Sequence, residues 1–365
     1  MGSHTAATNN KIATIRDILP KHGIDCVLIP LGINFRWTFG ILEEPSERLV
    51  LAILTPEASP IIVAPAFEVD RMKRATGISE VIGWEELQDP YTMVPNLVGK
   101  CQKIAVDPKM WFSVYSLLTK TLPKNTEIVS AAPIFDAGRA IKDETEQKAI
   151  LKASQKTGDA IVKTLEELEP GITEAELQKI LVERLTWGSR EKTFSLVQFG
   201  DNSALPHYHG GERRLRNDDV VLIDAGGTLN NYWGDITMTT VFGKASQRFK
   251  EIYDIVFKAN THGKDTVIKG KLPYEIDNRV RDYISSKGYG QYFTHRTGHG
   301  LGLEVHEHPY IVGTNRFPLS SGNVFTIEPG IYLPNEFGVR IEDNVIKTAD
   351  GILTSDIPRY EMLEV

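Results

Sequence analysis

Asp224, Asp235, His299, Glu328 and Glu342 stand in short motifs, most of them punctuated by glycine: Asp224-Ala-Gly-Gly, Gly234-Asp235-Ile-Thr, Thr297-Gly-His299-Gly, Thr326-Ile-Glu328-Pro-Gly and Arg340-Ile-Glu342-Asp-Asn. Four carboxylates and one imidazole are the ligand set expected for two adjacent divalent cations. Carboxylates buried on strands repel one another and are costly to desolvate, so they persist there mainly when cations neutralise them. Neither cysteine stands near any of the five. The set therefore points to hard or borderline ions such as manganese, cobalt or zinc, and away from a thiolate site.

Each residue taken singly has a simpler reading. Asp224 ends the apolar run Val220–Ile223 ahead of Gly226-Gly227, where it could cap a turn, and Asp235 after Gly234 is an equally common turn residue. Glu342 shares a strand face with Arg340 two residues earlier and could be its ion-pair partner. His299 lies between two glycines, a frequent loop pattern, and those glycines would let the backbone come close to a metal or substrate. All five within one stretch of chain are a far stronger signal. His207 and His306 accompany them, and imidazoles beside a bimetallic centre can donate to a developing oxyanion or move a proton at neutral pH. His209, His295 and His308 read as structural histidines.

The elements that must position these groups follow from periodicity and punctuation. Residues 9–135 form a small α/β domain. Ile12, Ile15, Ile18 and Leu19 are at helical spacing up to Gly23, and strand-like runs follow at 26–29, 49–54, 61–64 and 103–106. Residues 131–143 hand over to a second domain, 136–365. A long helix starts near Glu144 and is closed by Pro170-Gly171, and Thr173-Glu-Ala-Glu176 is a capping box opening the next helix. Strands follow from about 193 to 242, with a hairpin turn at Asn230-Asn231. Two helices then return, around Phe249–Phe257 and from Pro273 to Gly288, before a second strand-rich stretch. The order helix, helix, strands occurs twice, which predicts an internal duplication with a pseudo-twofold site between the halves.

Composition narrows the function classes. A chain of 365 residues favours two domains, and 41% hydrophobic with 24% charged residues is ordinary for a globular protein. A net charge of -7, with no basic stripe, argues against nucleic acid as a partner. The apolar run 49–54 is far too short to span a bilayer, so no membrane role is expected. Two isolated cysteines, Cys26 and Cys101, suit a reducing cytoplasm. Met1–His4 reads as an expression scar or a natural start.

The ordered series Pro206-His207, Asp224-Ala-Gly-Gly, Gly234-Asp235-Ile-Thr, Thr297-Gly-His299-Gly-Leu-Gly-Leu-Glu-Val-His306-Glu, Thr326-Ile-Glu328-Pro-Gly-Ile-Tyr332 and Gly338-Val-Arg-Ile-Glu342-Asp-Asn resembles the pita-bread metallopeptidases. Within them it is similar to the Xaa-Pro aminopeptidase and prolidase branch. The resemblance is dense over 138–365, and residues 9–135 resemble the creatinase-type N-terminal domain of that branch in general character. It implies an α/β (α+β) fold in which a pita-bread catalytic domain follows the creatinase-like one. It makes Asp224, Asp235, His299, Glu328 and Glu342 the ligands of two divalent ions, manganese foremost, with Asp235 and Glu342 bridging. It gives Glu328 the further role of general base for a water held between the ions. It assigns His306 to the tetrahedral intermediate and His207 to substrate or proton transfer, with Tyr332 and Arg340 on the substrate side or behind the ligands. Proline-containing peptides are then the substrates, and a homodimer is the implied assembly. Trp37 would either reach the partner's active site or form ordinary core.

One departure bears on specificity. Strict dipeptidases of this type often carry an arginine shortly after the Val-His-Glu motif to grip the substrate's free carboxylate, and here that position is Tyr310. A phenol cannot make the bidentate pair that arginine makes. The sequence therefore favours an Xaa-Pro aminopeptidase acting on longer chains over a prolidase limited to dipeptides, with Tyr310 facing the substrate. Two rival readings, a metal-free creatinase-like hydrolase and an inactive peptide-binding module, are disfavoured because the complete ligand set is retained.

Overall fold

The computed structural model describes residues 2–188, 192–355, 357 and 363–365. The chain divides into two compact units, Met1–Arg139 and Ala140–Val365, a division slightly later than the 135/136 boundary expected from sequence.

In the first unit, helix Gly2–Ile18 and a 3-10 turn are closed by Gly23, whose φ of 60° supplies the left-handed stop. Six strands form one sheet in the order Val81–Trp84, Ile61–Pro65, Leu51–Leu54, Cys26–Pro30, Lys103–Val106, Glu127–Ser130. The pairings from Cys26–Pro30 through Leu51–Leu54 to Ile61–Pro65 are antiparallel and the outer ones are parallel. Strand Cys26–Pro30 is buried along its whole length, as a central strand covered on both faces must be. The strands Val81–Trp84 and Glu127–Ser130 were not apparent in the sequence. Trp37, on helix Ile33–Phe39, is buried edge-on against Phe135, with ring centroids 6.3 Å apart. A Cβ at Gly138 would come within 2.7 Å of the indole. In this chain Trp37 is core of its own unit.

The second unit begins with two capped helices, Glu144–Leu165 and Glu174–Leu185. Their capping boxes, Asp143 with Glu146 and Thr173 with Glu176, satisfy the first free N–H groups. They cover a three-stranded antiparallel sheet of Thr193–Phe199, Val220–Leu229 and Tyr232–Val241. Ile161, Leu177, Leu181, Val221, Ile223 and Ile236 are fully buried between the layers. Gly234 admits this close packing, because any Cβ there would overlap the helix backbone at Ser154. Helices Gln247–Ile268 and Pro273–Ser286 follow. After them comes a five-stranded sheet ordered Glu307–Ile311, Gly298–Gly300, Val324–Ile327, Asp343–Lys347, Ile352–Thr354. A ribbon of Gly330–Leu333 and Phe337–Arg340 completes this half. Helix, helix, strands thus recurs in the described residues, and an antiparallel bridge between Thr237 and Glu342 joins the strands of the two halves.

Candidate active site and metal centre

Asn230 and Asn231 have φ of 53° and 69°, the left-handed pair of a type I′ turn, which matches the twist of the strands it joins. The turn sets the register: Leu229 faces Tyr232, Gly226 faces Asp235, and Asp224 faces Thr237. Asp224 and Gly226 share a face, so Asp224 and Asp235 are diagonal neighbours on one side of the hairpin. Both lie inside ten-residue strands, so neither is a turn cap.

His299 is the middle residue of strand Gly298–Gly300. Its flanking glycines admit protein backbone: a Cβ at Gly298 would overlap the Thr326 carbonyl, and one at Gly300 would overlap His308. That differs from the expected approach to metal or substrate. The His299 N–H donates to Thr326 Oγ1 at 3.1 Å, and Nδ1 faces the Gly300 carbonyl at 3.1 Å. A ring nitrogen facing a carbonyl carries the proton, so Nε2 holds the lone pair. It points to Glu328 Oε1 at 3.3 Å and Asp235 Oδ2 at 3.7 Å. Burial, with the neighbouring His306, pushes the imidazole down to about 3 and keeps it neutral.

Glu328 follows strand Val324–Ile327, and its Oε1 accepts from Thr326 Oγ1 at 3.0 Å. Glu342 Oε2 accepts from Thr237 Oγ1 at 2.7 Å, across the bridge between the halves. One ligand atom each from Asp235, His299 and Glu342 lies within 4.8 Å of the others. Burial holds Asp235 and Glu342 well above the usual carboxylate range, and each is raised further by the neighbouring acids. Glu328 is pushed up to about 7 by burial, with Arg340 pulling down against Asp224 pushing up. Asp224 Oδ1 and Asp235 Oδ1 are buried with no hydrogen-bond partner. Mutually repelling carboxylates with unused lone pairs, beside a free imidazole nitrogen, fit divalent cations.

The site opens on a cavity of about 640 Å³ lined by Asp224, Asp235, His299, Glu328, Glu342 and Arg340 together with His207 and His306. The His306 ring lies edge-on to His299 at 4.2 Å between centroids. The loop bearing His207 is pinned by Gln198 Nε2, which donates to the carbonyls of Leu205 and Tyr208 at 3.0 and 2.7 Å. Arg340 is buried and donates to Asp224 Oδ2 at 2.7 Å, Tyr332 Oη at 2.8 Å, Thr237 Oγ1 at 3.2 Å and the Pro206 carbonyl at 3.4 Å. Tyr332 is not in the cavity wall. Its hydroxyl is held between Arg340 and His295 Nε2, 2.8 Å from each.

Three placements differ from the sequence reading. His295 and His209, read as structural, line the cavity. Tyr310, expected to face the substrate, does not line it; its ring lies 4.6 Å beneath the guanidinium of Arg296, which does. Sequence reasoning also missed Thr237, which links Glu342 to Arg340, and Asn344. The Asn344 side chain exchanges two hydrogen bonds with the Asp235 backbone, at 2.9 and 2.8 Å. Asn344 follows Glu342 at a spacing of two, the signal that could have marked it.

Comparison with known proteins gives the family and the fold. The profile of the Creatinase/Prolidase N-terminal domain matches residues 11–141, and that of metallopeptidase family M24 matches residues 148–349. An uncharacterized peptidase of Staphylococcus aureus (strain USA300) is 33% identical over 93% of this chain and 97% of its own. The dipeptidase PepE of Mycobacterium ulcerans superposes with a TM-score of 0.90 at 31% identity, covering 99% of each chain. A prolidase from Thermococcus sibiricus gives 0.86 at 32%, covering 98% and 99%. The X-Pro aminopeptidase of Thermotoga maritima gives 0.81 at 28%, covering 94% and 98%. A creatinase-type N-terminal domain followed by a pita-bread domain carrying this buried carboxylate and histidine cluster makes the chain a peptidase, and it belongs to metallopeptidase family M24.

Proposed function

We propose that the chain hydrolyses the peptide bond between an N-terminal residue and proline, with two divalent cations held by Asp224, Asp235, His299, Glu328 and Glu342. The observation that carries this reading is the pair of unpartnered buried oxygens on Asp224 and Asp235 within a cluster of raised carboxylates. Bound cations supply polarisation of the scissile carbonyl and acidification of the attacking water. Manganese is the proposed occupant, with cobalt and zinc compatible with the same ligands.

The side chains perform the rest. Glu328 accepts a proton from the attacking water and returns it to the proline nitrogen as the C–N bond breaks. The products are a free carboxylic acid and a secondary amine. His306 is held below its ordinary value by burial, Arg296 and His207, so it is a neutral donor for the developing oxyanion. His207, on the same cavity wall, contacts the substrate or assists the proton's return. Phe194, Leu196, Trp233 and Val305 supply the apolar surface against which a pyrrolidine ring packs. A bond to proline lacks the N–H that many peptidases engage, so shape and apolar contact must do the recognising.

Two readings of substrate length remain. Tyr310 in place of an arginine favours Xaa-Pro-Yaa and longer chains, whereas Arg296 in the cavity wall favours the dipeptide and hence a prolidase. We place the enzyme in the cytoplasm, as a homodimer, on the strength of the family resemblance and of Cys26 and Cys101, which are neighbours in the fold yet stand as free thiols; sedimentation measures the dimer. No helix among the described residues is long and apolar enough to cross a membrane. The test of the activity is hydrolysis of Ala-Pro, Ala-Pro-Ala and Ala-Ala by protein reloaded separately with manganese, cobalt and zinc. Equal rates on Ala-Pro and Ala-Ala would remove proline from the proposal.

A further inference from the structure

Two guanidinium groups line the cavity, and they are in opposite states. Arg340 commits four hydrogen bonds to protein acceptors. Arg296 is half-buried and stacks on the face of Tyr310 at 4.6 Å; among the described residues its guanidinium makes no hydrogen bond or ion pair, and its charge acts at longer range on Glu328, His299 and His306. Stacking fixes the plane of a guanidinium while leaving its N–H edge free.

The backbone beneath Arg296 is held from helix Pro273–Ser286. Arg281 donates to the carbonyls of Phe293, at 3.2 Å, and His295, and its Nε donates to Asp277 Oδ2 at 2.8 Å. Asp277 Oδ1 accepts from the N–H and hydroxyl of Thr297 at 3.2 and 2.7 Å. The residues on both sides of Arg296 are therefore clamped, and the side chain is aimed by Tyr310 alone.

We propose that Arg296, stacked on Tyr310, is the specificity-determining anchor for the free carboxylate of a substrate's C-terminal proline, making dipeptides the preferred length. The inference rests on the Xaa-Pro reading above. In a dipeptide the free carboxylate lies only a few bonds beyond the scissile carbonyl, within the same cavity, and a bidentate guanidinium pair matches its shape. In a longer chain that carboxylate is a neutral amide, and the guanidinium is desolvated with no anion to meet it. Tyr310 is the positioning residue: the ring in the place of the missing arginine holds an arginine from another strand-end.

The test compares Ala-Pro with Ala-Pro-amide on the metal-loaded protein. Ala-Pro is expected to have kcat/KM higher by about ten- to a hundredfold, most of it in KM. In Arg296→Met that ratio falls to near one, and Arg296→Lys, which keeps the charge without the fork, lies between. Tyr310→Phe keeps the ratio and Tyr310→Leu loses most of it. Wild-type enzyme that treats the acid and the amide alike overturns the proposal, as does an Arg296→Met variant that still discriminates. Calorimetric binding of proline against prolinamide scores the anchor without turnover, proline binding tighter only where Arg296 is present. Cleavage of neither substrate, alongside hydrolysis of Ala-Ala, would sink the Xaa-Pro reading instead, and the calorimetric comparison would still decide for or against the anchor.

Discussion

The guanidinium of Arg340 donates to Oδ2 of Asp224 at 2.7 Å and leaves Oδ1 of the same carboxylate buried with no partner. One oxygen is thus tied to the protein scaffold and the other is left for a cation in the proposed site. Removing the arginine strips Asp224 of its buried counter-charge. Arg340→Met should lower the unfolding free energy of the metal-free protein by about 3 kcal/mol. Arg340→Lys should recover only part, because one ammonium cannot reach Asp224, Thr237 and Tyr332 together. Urea unfolding of the chelated proteins checks this, and an unchanged midpoint in Arg340→Met would refute it.

Chelation should abolish peptide hydrolysis while leaving far-ultraviolet circular dichroism unchanged, since apolar cores lie beneath the sheets of both halves of the second unit. Manganese or cobalt should restore the activity, and metal analysis should approach two ions per chain. Full activity in verified metal-free protein would end the two-metal account.

The chelated protein should lose stability as pH rises above about 6.5. Glu328 is raised from its ordinary 4.5 to about 7, and Asp235 and Glu342 are also raised. A raised carboxylate stabilises the fold below its unfolded value, and that contribution is lost as pH climbs through the folded one. His295 and His299 are lowered from 6.5 to about 3, so they act in the opposite sense, but only below 6.5. Above that value the carboxylates act unopposed. Thermal midpoints at pH 6.5 and 8 should fall in EDTA and hold steady with manganese; a rise in EDTA would reverse the sign of the argument.

Glu328→Gln should cut kcat by roughly a hundred- to ten-thousandfold, with a much smaller effect on KM. The amide keeps the shape but cannot accept the proton. Metal content must be matched in the assay, because the change also removes an anionic ligand. Near-normal turnover in a fully loaded variant would strip Glu328 of its role as base.

Gly298→Ala should displace His299, because the added methyl overlaps the carbonyl of Thr326, whose hydroxyl meets both His299 and Glu328. We expect weaker metal retention in dialysis and a stability loss of about 1–3 kcal/mol. Retention equal to wild type would show that the strands can part at no cost to the site.

The buried cluster proposed as ligands was legible because its residue types are costly where they stand: an acid after Val-Val-Leu-Ile, or between Ile341 and Asp343 in an apolar-leaning run, asks for a reason. The hairpin was legible through Asn230-Asn231, since few residue pairs tolerate two left-handed positions. Arg296 and His295 were not, because Arg281 and Asp277 hold the backbone around them from another helix and Tyr310 aims the guanidinium, which no local pattern encodes. Tyr310 shows the same gap from the other side. The absent arginine was visible in the sequence, but the guanidinium stacked on the tyrosine was not. Thr237 was hidden in a run that reads simply as good strand chemistry.

The bridge between Thr237 and Glu342 has a consequence for the protein's birth. Two of the five proposed ligands lie on the first hairpin and three come from the second half. A nascent chain that has released only the first hairpin from the ribosome therefore carries two acids and no catalyst. Under the proposed assignment, hydrolytic power switches on only when the strands carrying His299, Glu328 and Glu342 dock against the first half, so a chain cut ahead of them cannot assemble the site.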